Sequence, residues 1–276
     1  MIKDRPAVAA LRAITLVILA ALFLLPFYVL LRNAFASPQE LAAARWVWIP
    51  ADPTLDNLHR VFANENVAMA RSLVNSMVVA VVQTVGTVVI SAMAAYGLAR
   101  IPSRWSQPVL VLTVLTLMVP AAVTFVPSFV MVSSLGWISS LRGLIVPGLF
   151  SAFATFLFRQ HFVAFPRELE EAAALDGAGV WRTFWRVVMP NAYGICAAVG
   201  TIIFIGSWNA FLWPLLIGQD RAYRTVQVSL SQFMTSQRVD LPQLFIGAAV
   251  AILPVLLIFV FLQRYLVQGV EQSGID

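Results

Sequence analysis

Six apolar runs, at residues 13–31, 73–98, 108–132, 144–163, 192–217 and 244–262, occupy about half of the 276 positions. A helix needs about 20 apolar residues to cross a bilayer, and a water-soluble domain carries charge at about a quarter of its positions. Here 60% of residues are hydrophobic and 11% charged, with a mean hydropathy of +0.85. One large water-soluble core is therefore excluded. The pattern predicts an all-α polytopic membrane bundle of six transmembrane helices, a single domain over residues 1–276. Continuous runs of this length suit helices, not the alternating strands of about 10 residues that build a membrane barrel. The fourth run reaches full length only if it continues past Arg159 with the guanidinium drawn out to the interface.

The first run resembles a secretory leader, because Lys3, Arg5 and Arg12 precede it and Ala34-Phe35-Ala36 follows it. Its nineteen apolar residues exceed a leader's usual core of about 7–15, and Arg32 stands before the cleavage-like triplet, so it is read as a retained span. With six spans both termini share a side. Placing them in the cytoplasm puts 10 of the 18 basic residues inside, Arg264 among them, so the positive-inside rule leans this way without deciding. The outer loops are then 33–72, 133–143 and 218–243, the first and last long enough to receive an external partner.

The net charge of +5 comes from basic residues scattered among loops, whereas a nucleic-acid site needs a clustered stripe. Cys196 is the only cysteine, so no disulfide forms within the chain. His59 and His161 stand far apart without a zinc-binding spacing. No ionisable residue falls in the middle of a span, which disfavours an ion-coupled carrier, although backbone carbonyls can coordinate sodium without one. A phosphate-binding loop needs a lysine after a glycine-rich turn, and the only lysine is Lys3. Any ATP energy must come from another subunit, and the chain is expected to be a transport subunit, not an enzyme.

Within the spans, Gln83, Ser207 and Asn209 are polar, and Ser207–Pro214 packs aromatics beside an amide. Pro120 and Pro127 are expected to break the third span and Pro254 the sixth, by ring clash and loss of an N–H. Trp213 is open between an interfacial belt and a solute pathway. Trp208, deeper by a turn or more, favours the pathway.

The polar-flanked stretch at 165–190 is the most distinctive. Pro166 suits a first helical turn, and Glu168, Glu170 and Glu171 place negative charge near the positive helix end. Ala172, Ala173 and Ala174 favour helix with little bulk, so another surface can approach closely. Gly177 fits the left-handed residue that ends a helix. Trp181, Phe184, Trp185 and Val188 are then expected on one apolar side, with Arg182 and Arg186 on another and Pro190 starting the fifth span. The segment reads either as an amphipathic connector on the membrane or, better for this spacing, as a docking element.

Glu171-Ala172-Ala173, three residues, Gly177, nine residues and Val187-Val188-Met189-Pro190 resemble the Glu-Ala-Ala loop of ATP-binding-cassette importer permeases. The stretches at 118–137, 165–179, 207–215 and 263–276, with the Asn75-Ser76 pair, resemble the carbohydrate branch, closest to the maltose-type second permease subunit. The resemblance covers nearly the whole chain. It implies a bacterial cytoplasmic-membrane assembly of two paralogous permeases, two ATPase subunits and an extracytoplasmic solute-binding protein. This chain would bind no cofactor itself, ATP and Mg residing on the ATPase subunits. Carried over by position, Glu171, Ala172, Ala173, Asp176 and Gly177 form the ATPase-coupling segment. Met189 replaces the usual leucine, and the chain ends in Ile275-Asp276 where relatives often end in lysine or glycine.

A sugar-like solute is expected from aromatic faces beside amides that both donate and accept. Trp208 and Asn209 are the foremost pathway candidates, followed by Asn75, Gln83 and Trp213. Glycerol-3-phosphate and glycerophosphodiesters stay open, as do an ion-coupled carrier and a non-transporting scaffold as alternative roles.

Overall fold

The computed structural model describes residues 6–43, 45–234 and 239–271, the last ten as backbone. Lys3, Arg5, Ile275 and Asp276 lie outside the described residues, as does the side chain of Arg264. In chain order the helices begin with α1 (Pro6–Phe35), α2 (Pro38–Ala42), α3 (Asp56–Ala63), α4 (Met69–Arg100), α5 (Ser106–Thr116), α6 (Ala121–Ser134) and α7 (Leu141–Ile145). They continue with α8 (Ala152–Ala164), α9 (Arg167–Leu175), α10 (Val180–Thr183), α11 (Met189–Asn191), α12 (Tyr193–Trp208), α13 (Leu212–Ile217), α14 (Val226–Ser231) and α15 (Leu241–Glu271). A 3₁₀ turn, Val146–Gly148, follows α7, and a π turn, Phe184–Val188, joins α10 to α11.

Helices α1, α4 and α15 each contain a stretch long and apolar enough to cross a membrane alone. Three further stretches qualify only as bent pairs: α5 with α6 at 99°, residues 141–148 with α8 at 43°, and residues 180–191 with α12 at 78°. Counting each pair as one span gives six.

The prolines behave unequally. Pro120 caps α6 at the sharp break after α5. Pro127 and Pro254 lie inside α6 and α15, which run on through them. An interior proline removes one backbone hydrogen bond but need not end a helix whose flanking turns stay paired. The fifth run departs most from expectation. Pro190 sits within α11, the chain turns at Ala192, and α12 stops at Trp208 with Asn209 as its cap. Only after Asn209–Phe211 does the short α13 begin.

The chain packs as two compact units. One comprises the described residues up to Met69 together with Ser229–Leu253, the other Ala70–Val228 and the residues from Pro254 onward. In the first unit, α1 is exposed from residue 10 to residue 28, as suits a helix facing lipid. Its buried Arg32 donates to the Val47 carbonyl (2.9 Å), pairs with Glu40 and lies 4.8 Å from the Trp46 ring centre. Asn57 donates to the carbonyls of Ala34 (3.1 Å) and Ala36 (2.8 Å). The cleavage-like triplet is thereby folded in, with Ala34 and Ala36 fully buried.

In the second unit, α4 acts as a polar spine. Asn75 donates to the carbonyls of Ala222 and Arg224, both at 2.9 Å, and the Ser76 hydroxyl accepts from the Val226 N–H at 2.8 Å. Gln83 donates to the carbonyls of Leu144 (2.9 Å) and Ile145 (3.2 Å), Thr87 to Gly148 (3.1 Å) and Ser91 to Ser151 (3.5 Å). These carbonyls lie where α7 gives way to α8, and helix ends leave such groups without intrahelical partners. Their cost in lipid, several kcal/mol each if unpaired, explains why α4 carries hydroxyls and amides within an apolar run.

Glycine positions allow a direct check of this packing. A Cβ on Gly143 would stand 2.3 Å from the Trp137 carbonyl oxygen and 3.0 Å from an Ile217 methyl, whereas one on Gly97 meets nothing within 4 Å. Gly143→Ala is expected to destabilise by about 1–3 kcal/mol or more through overpacking. Gly97→Ala should be neutral or stabilising by up to about 1 kcal/mol from helix propensity. Thermal unfolding of the detergent-purified chains would order them as Gly97→Ala, parent, Gly143→Ala.

Candidate functional site

The segment 165–190 forms a ledge, whose latter part, residues 180–190, also belongs to the bent stretch leading into α12. Pro166, extended at φ −58° and ψ 123°, caps α9 with no side-chain hydrogen bond. The helix instead gains from Glu168 and Glu170 in its first turn, where the dipole favours anions. Its end is a Schellman closure. The Gly177 N–H reaches the Ala174 carbonyl (3.0 Å), the Ala178 N–H reaches Ala173 (2.9 Å), and Gly177 is left-handed at φ +76°.

Glu171, Ala172, Asp176 and Gly177 are all exposed, and Ala173 is half-buried. The structure thus brings these sequence-predicted residues together on one short helix and its cap. Leu175 is 90% exposed and Trp181 63%, so an apolar surface flanks the small residues. Leu175 lies outside every stretch that qualifies as a span, whereas Trp181 falls in the bent stretch 180–191.

The far side of the ledge is fastened down. Thr183, Phe184 and Val188 are buried, while Trp181 and Trp185 remain exposed. The expected single apolar side therefore splits into an inward pair and an outward pair. The π turn explains part of this: Met189 donates five residues back, to the Phe184 carbonyl, so the turn holds more residues than an α turn and the side-chain phase drifts. Phe184 packs on Tyr96 (5.1 Å between ring centres) and Phe162 (6.5 Å), and Trp181 and Trp185 lean on its outer side at 6.3 and 4.9 Å.

Sequence reasoning missed a polar attachment beside this apolar one. Glu170 Oε1 stands 2.9 Å from Arg100 Nε, and Glu170 Oε2 accepts from the Tyr96 hydroxyl at 3.0 Å. The first contact is an ion pair by distance, not a well-angled hydrogen bond. Arg100 also donates to the Phe165 carbonyl, just ahead of α9. The Arg100 and Glu170 side chains are only 7% and 17% exposed. A cleft of about 440 Å³ lined by Arg100, Ser103, Arg167, Glu170 and Glu171 opens beside the pair. In the sequence Arg100 is simply a basic residue just past the apolar run 73–98, and its partner lies 70 positions away.

The expected pathway residues are placed differently. Trp208 is 1% exposed and stacked on Phe204. Asn75 and Gln83 spend their amide N–H groups on the carbonyls described above, and Gln83 also accepts from Ser207 at 2.5 Å. Trp213 donates to the Gly143 carbonyl at 3.1 Å and meets Phe125 edge-on. Gln83 and Trp213 thus converge on the segment 143–145, which they pin. Asn209 alone among the five is exposed, its Oδ1 accepting from Gln227 at 3.3 Å. Among the described residues no group of three or more His, Cys, Asp or Glu is placed to hold a metal.

Residues 86–272 match the family described as "Binding-protein-dependent transport system inner membrane component". The chain is 32% identical over 285 positions to the sn-glycerol-3-phosphate transport system permease protein UgpE of Yersinia pestis, covering 99% of both. It is 34% identical over 218 residues to the lactose transport system permease protein LacG of Rhizobium radiobacter, covering 79% of both. The fold is similar to that of a chain in the crystal structure of a bacterial ABC transporter involved in the import of the acidic polysaccharide alginate. The TM-score is 0.83 at 21% identity, covering 96% of this chain and 98% of that one.

The ledge's closure depends on Gly177, whose added Cβ would meet open space but whose backbone is left-handed. Gly177→Val is therefore expected to cost about 1–2 kcal/mol through conformation alone. Gly177→Asn should cost less, since asparagine tolerates this region. Limited proteolysis should open the bond region 176–180 fastest in Gly177→Val, with Gly177→Asn close to the parent.

Proposed function

Because the chain belongs to the family of inner-membrane components of binding-protein-dependent transport systems, we propose that its ledge at 165–190 is the seat of a separate ATPase subunit. The observation that carries this reading is the largely exposed Glu171–Gly177 strip with Leu175 and Trp181 open beside it, while Phe184 and Val188 are buried behind it. The chain itself is a multi-pass permease subunit. Its complete assembly is read as a pair of paralogous permeases, two ATPase subunits that hold ATP and Mg, and an extracytoplasmic binding protein that delivers the solute. Both termini and the ledge then face the bacterial cytoplasm. ATP-driven closure of the ATPase pair moves the ledge as a body, and the spans alternate between inward- and outward-facing states.

Small side chains at Ala172 and Ala173 let a partner surface approach the α9 backbone. Glu171 supplies a charge at the rim of that surface. Co-purification tests the seat directly. Glu171→Ala and Gly177→Val should each lower the yield of ATPase subunit recovered with the tagged chain at least several-fold and abolish solute uptake. Undiminished recovery and uptake in both variants would remove the docking assignment.

The solute is read as a sugar or sugar-like polyol, in keeping with UgpE and LacG, whose names specify glycerol-3-phosphate and lactose transport. Asn209 is the foremost contact of this chain with it, because its amide is exposed at the break between α12 and α13. Trp208 supports it from within the packing. Asn209→Ala should change transport kinetics while leaving thermal stability within about 0.5 kcal/mol, as for other surface changes. Trp208→Ala should instead destabilise by about 3–5 kcal/mol, the range for emptying a large aromatic site. Uptake of radiolabelled lactose against glycerol-3-phosphate by the reconstituted assembly separates neutral from anionic cargo.

A further inference from the structure

The geometry points to Tyr96, Arg100 and Glu170 as a latch that makes the ledge and α4 move as one body, an inference that rests on the ATPase-docking reading above. Three observations carry it. Glu170 sits one position before the proposed docking strip yet turns away from it, half-buried, to meet Arg100 at 2.9 Å and the Tyr96 hydroxyl at 3.0 Å. Arg100 binds the carbonyl of Phe165, so it holds both the lead-in to α9 and a side chain of α9's first turn. Tyr96, 5% exposed, joins the two halves of the ledge: its hydroxyl serves Glu170, while its ring packs on Phe184 beyond the Gly177 turn and on Phe162 before it.

A carboxylate and a guanidinium this shielded from water cannot slide past each other as exposed ion pairs do. Separation would leave each largely buried charge without its partner, a cost that an exposed pair does not carry. The attachment is also made in two chemistries, polar through Glu170 and apolar through Phe184, on opposite sides of the closure at Gly177. A single contact would let α9 swivel; two contacts that share Tyr96 remove that freedom. Displacement of the strip is then handed to the end of α4, and along that helix to Ala70, about 45 Å away at 1.5 Å per residue. The three side chains are positioning residues, touching neither nucleotide nor solute.

The test reads motion at the distant end of α4 without needing the solute. In the assembled transporter, a Cys196→Ser background with Ala70→Cys carries an environment-sensitive fluorophore, Ala70 being exposed in the first turn of α4. The signal change on adding MgATP and vanadate is divided by the ATP hydrolysis rate of the same sample. Glu170→Gln and Arg100→Gln should each lower this ratio at least fivefold. The reversed pair, Arg100→Glu with Glu170→Arg, should exceed both single variants, which general loss of packing would not produce. Tyr96→Phe keeps the ring contacts and loses only the hydroxyl. It should lower the ratio about twofold, and it carries the test should a charge variant fail to assemble. An unchanged ratio in the single variants that assemble, or a reversed pair no better than they are, overturns the latch. A parent assembly that recovers no ATPase, or gives no nucleotide response at all, overturns the docking reading instead.

Discussion

Broken helices inside an apolar layer need partners for their freed carbonyls, and in this chain α4 supplies them. Asn75, Gln83, Thr87 and Ser91 donate to carbonyls of the segments 222–224 and 144–151. For the carbonyls of 144–151, inside the fourth apolar run, water is scarce in a bilayer, so each of those bonds is close to obligatory. The bend between residues 141–148 and α8, and the course of the chain after α13, are affordable only because one unbroken helix presents hydrogen-bond donors at suitable intervals. Tyr96 and Arg100 continue the same series toward the ledge. Structural support and the proposed coupling route therefore run along a single element.

This arrangement explains why the role of a polar residue within a span is hard to read from sequence. An amide in an apolar run implies either a ligand or a satisfied backbone group, and spacing alone does not separate the two. Gln83 and Asn75 prove to be occupied by carbonyls, Trp213 by the Gly143 carbonyl and Trp208 by the packing around Phe204. Only Asn209 keeps an exposed amide. The difference lies in which segments fold back against α4, a tertiary matter.

Fold class was legible because apolar length is set by bilayer thickness, a constraint that composition records directly. The ledge was legible for a similar reason: Gly177 occupies a backbone region that disfavours side chains, and alanines next to glutamates declare an exposed small-residue helix. Helix breaks were less so. Pro120 stands at a sharp bend, yet Pro127 and Pro254 are absorbed within continuous helices. The break at Asn209 carries no proline or glycine of its own, and its amide is held by Gln227. The pairing of Arg100 with Glu170 spans 70 positions and left no periodic trace.

The length of α4 has a mechanical meaning. A rod of about 48 Å held at one end turns a tilt of about 5° into a shift of about 4 Å at the other, from the helical rise alone. That shift matches the width of a single side chain, so an angular change too small to disturb neighbouring contacts can still open or shut a gap the size of a hydroxymethyl group.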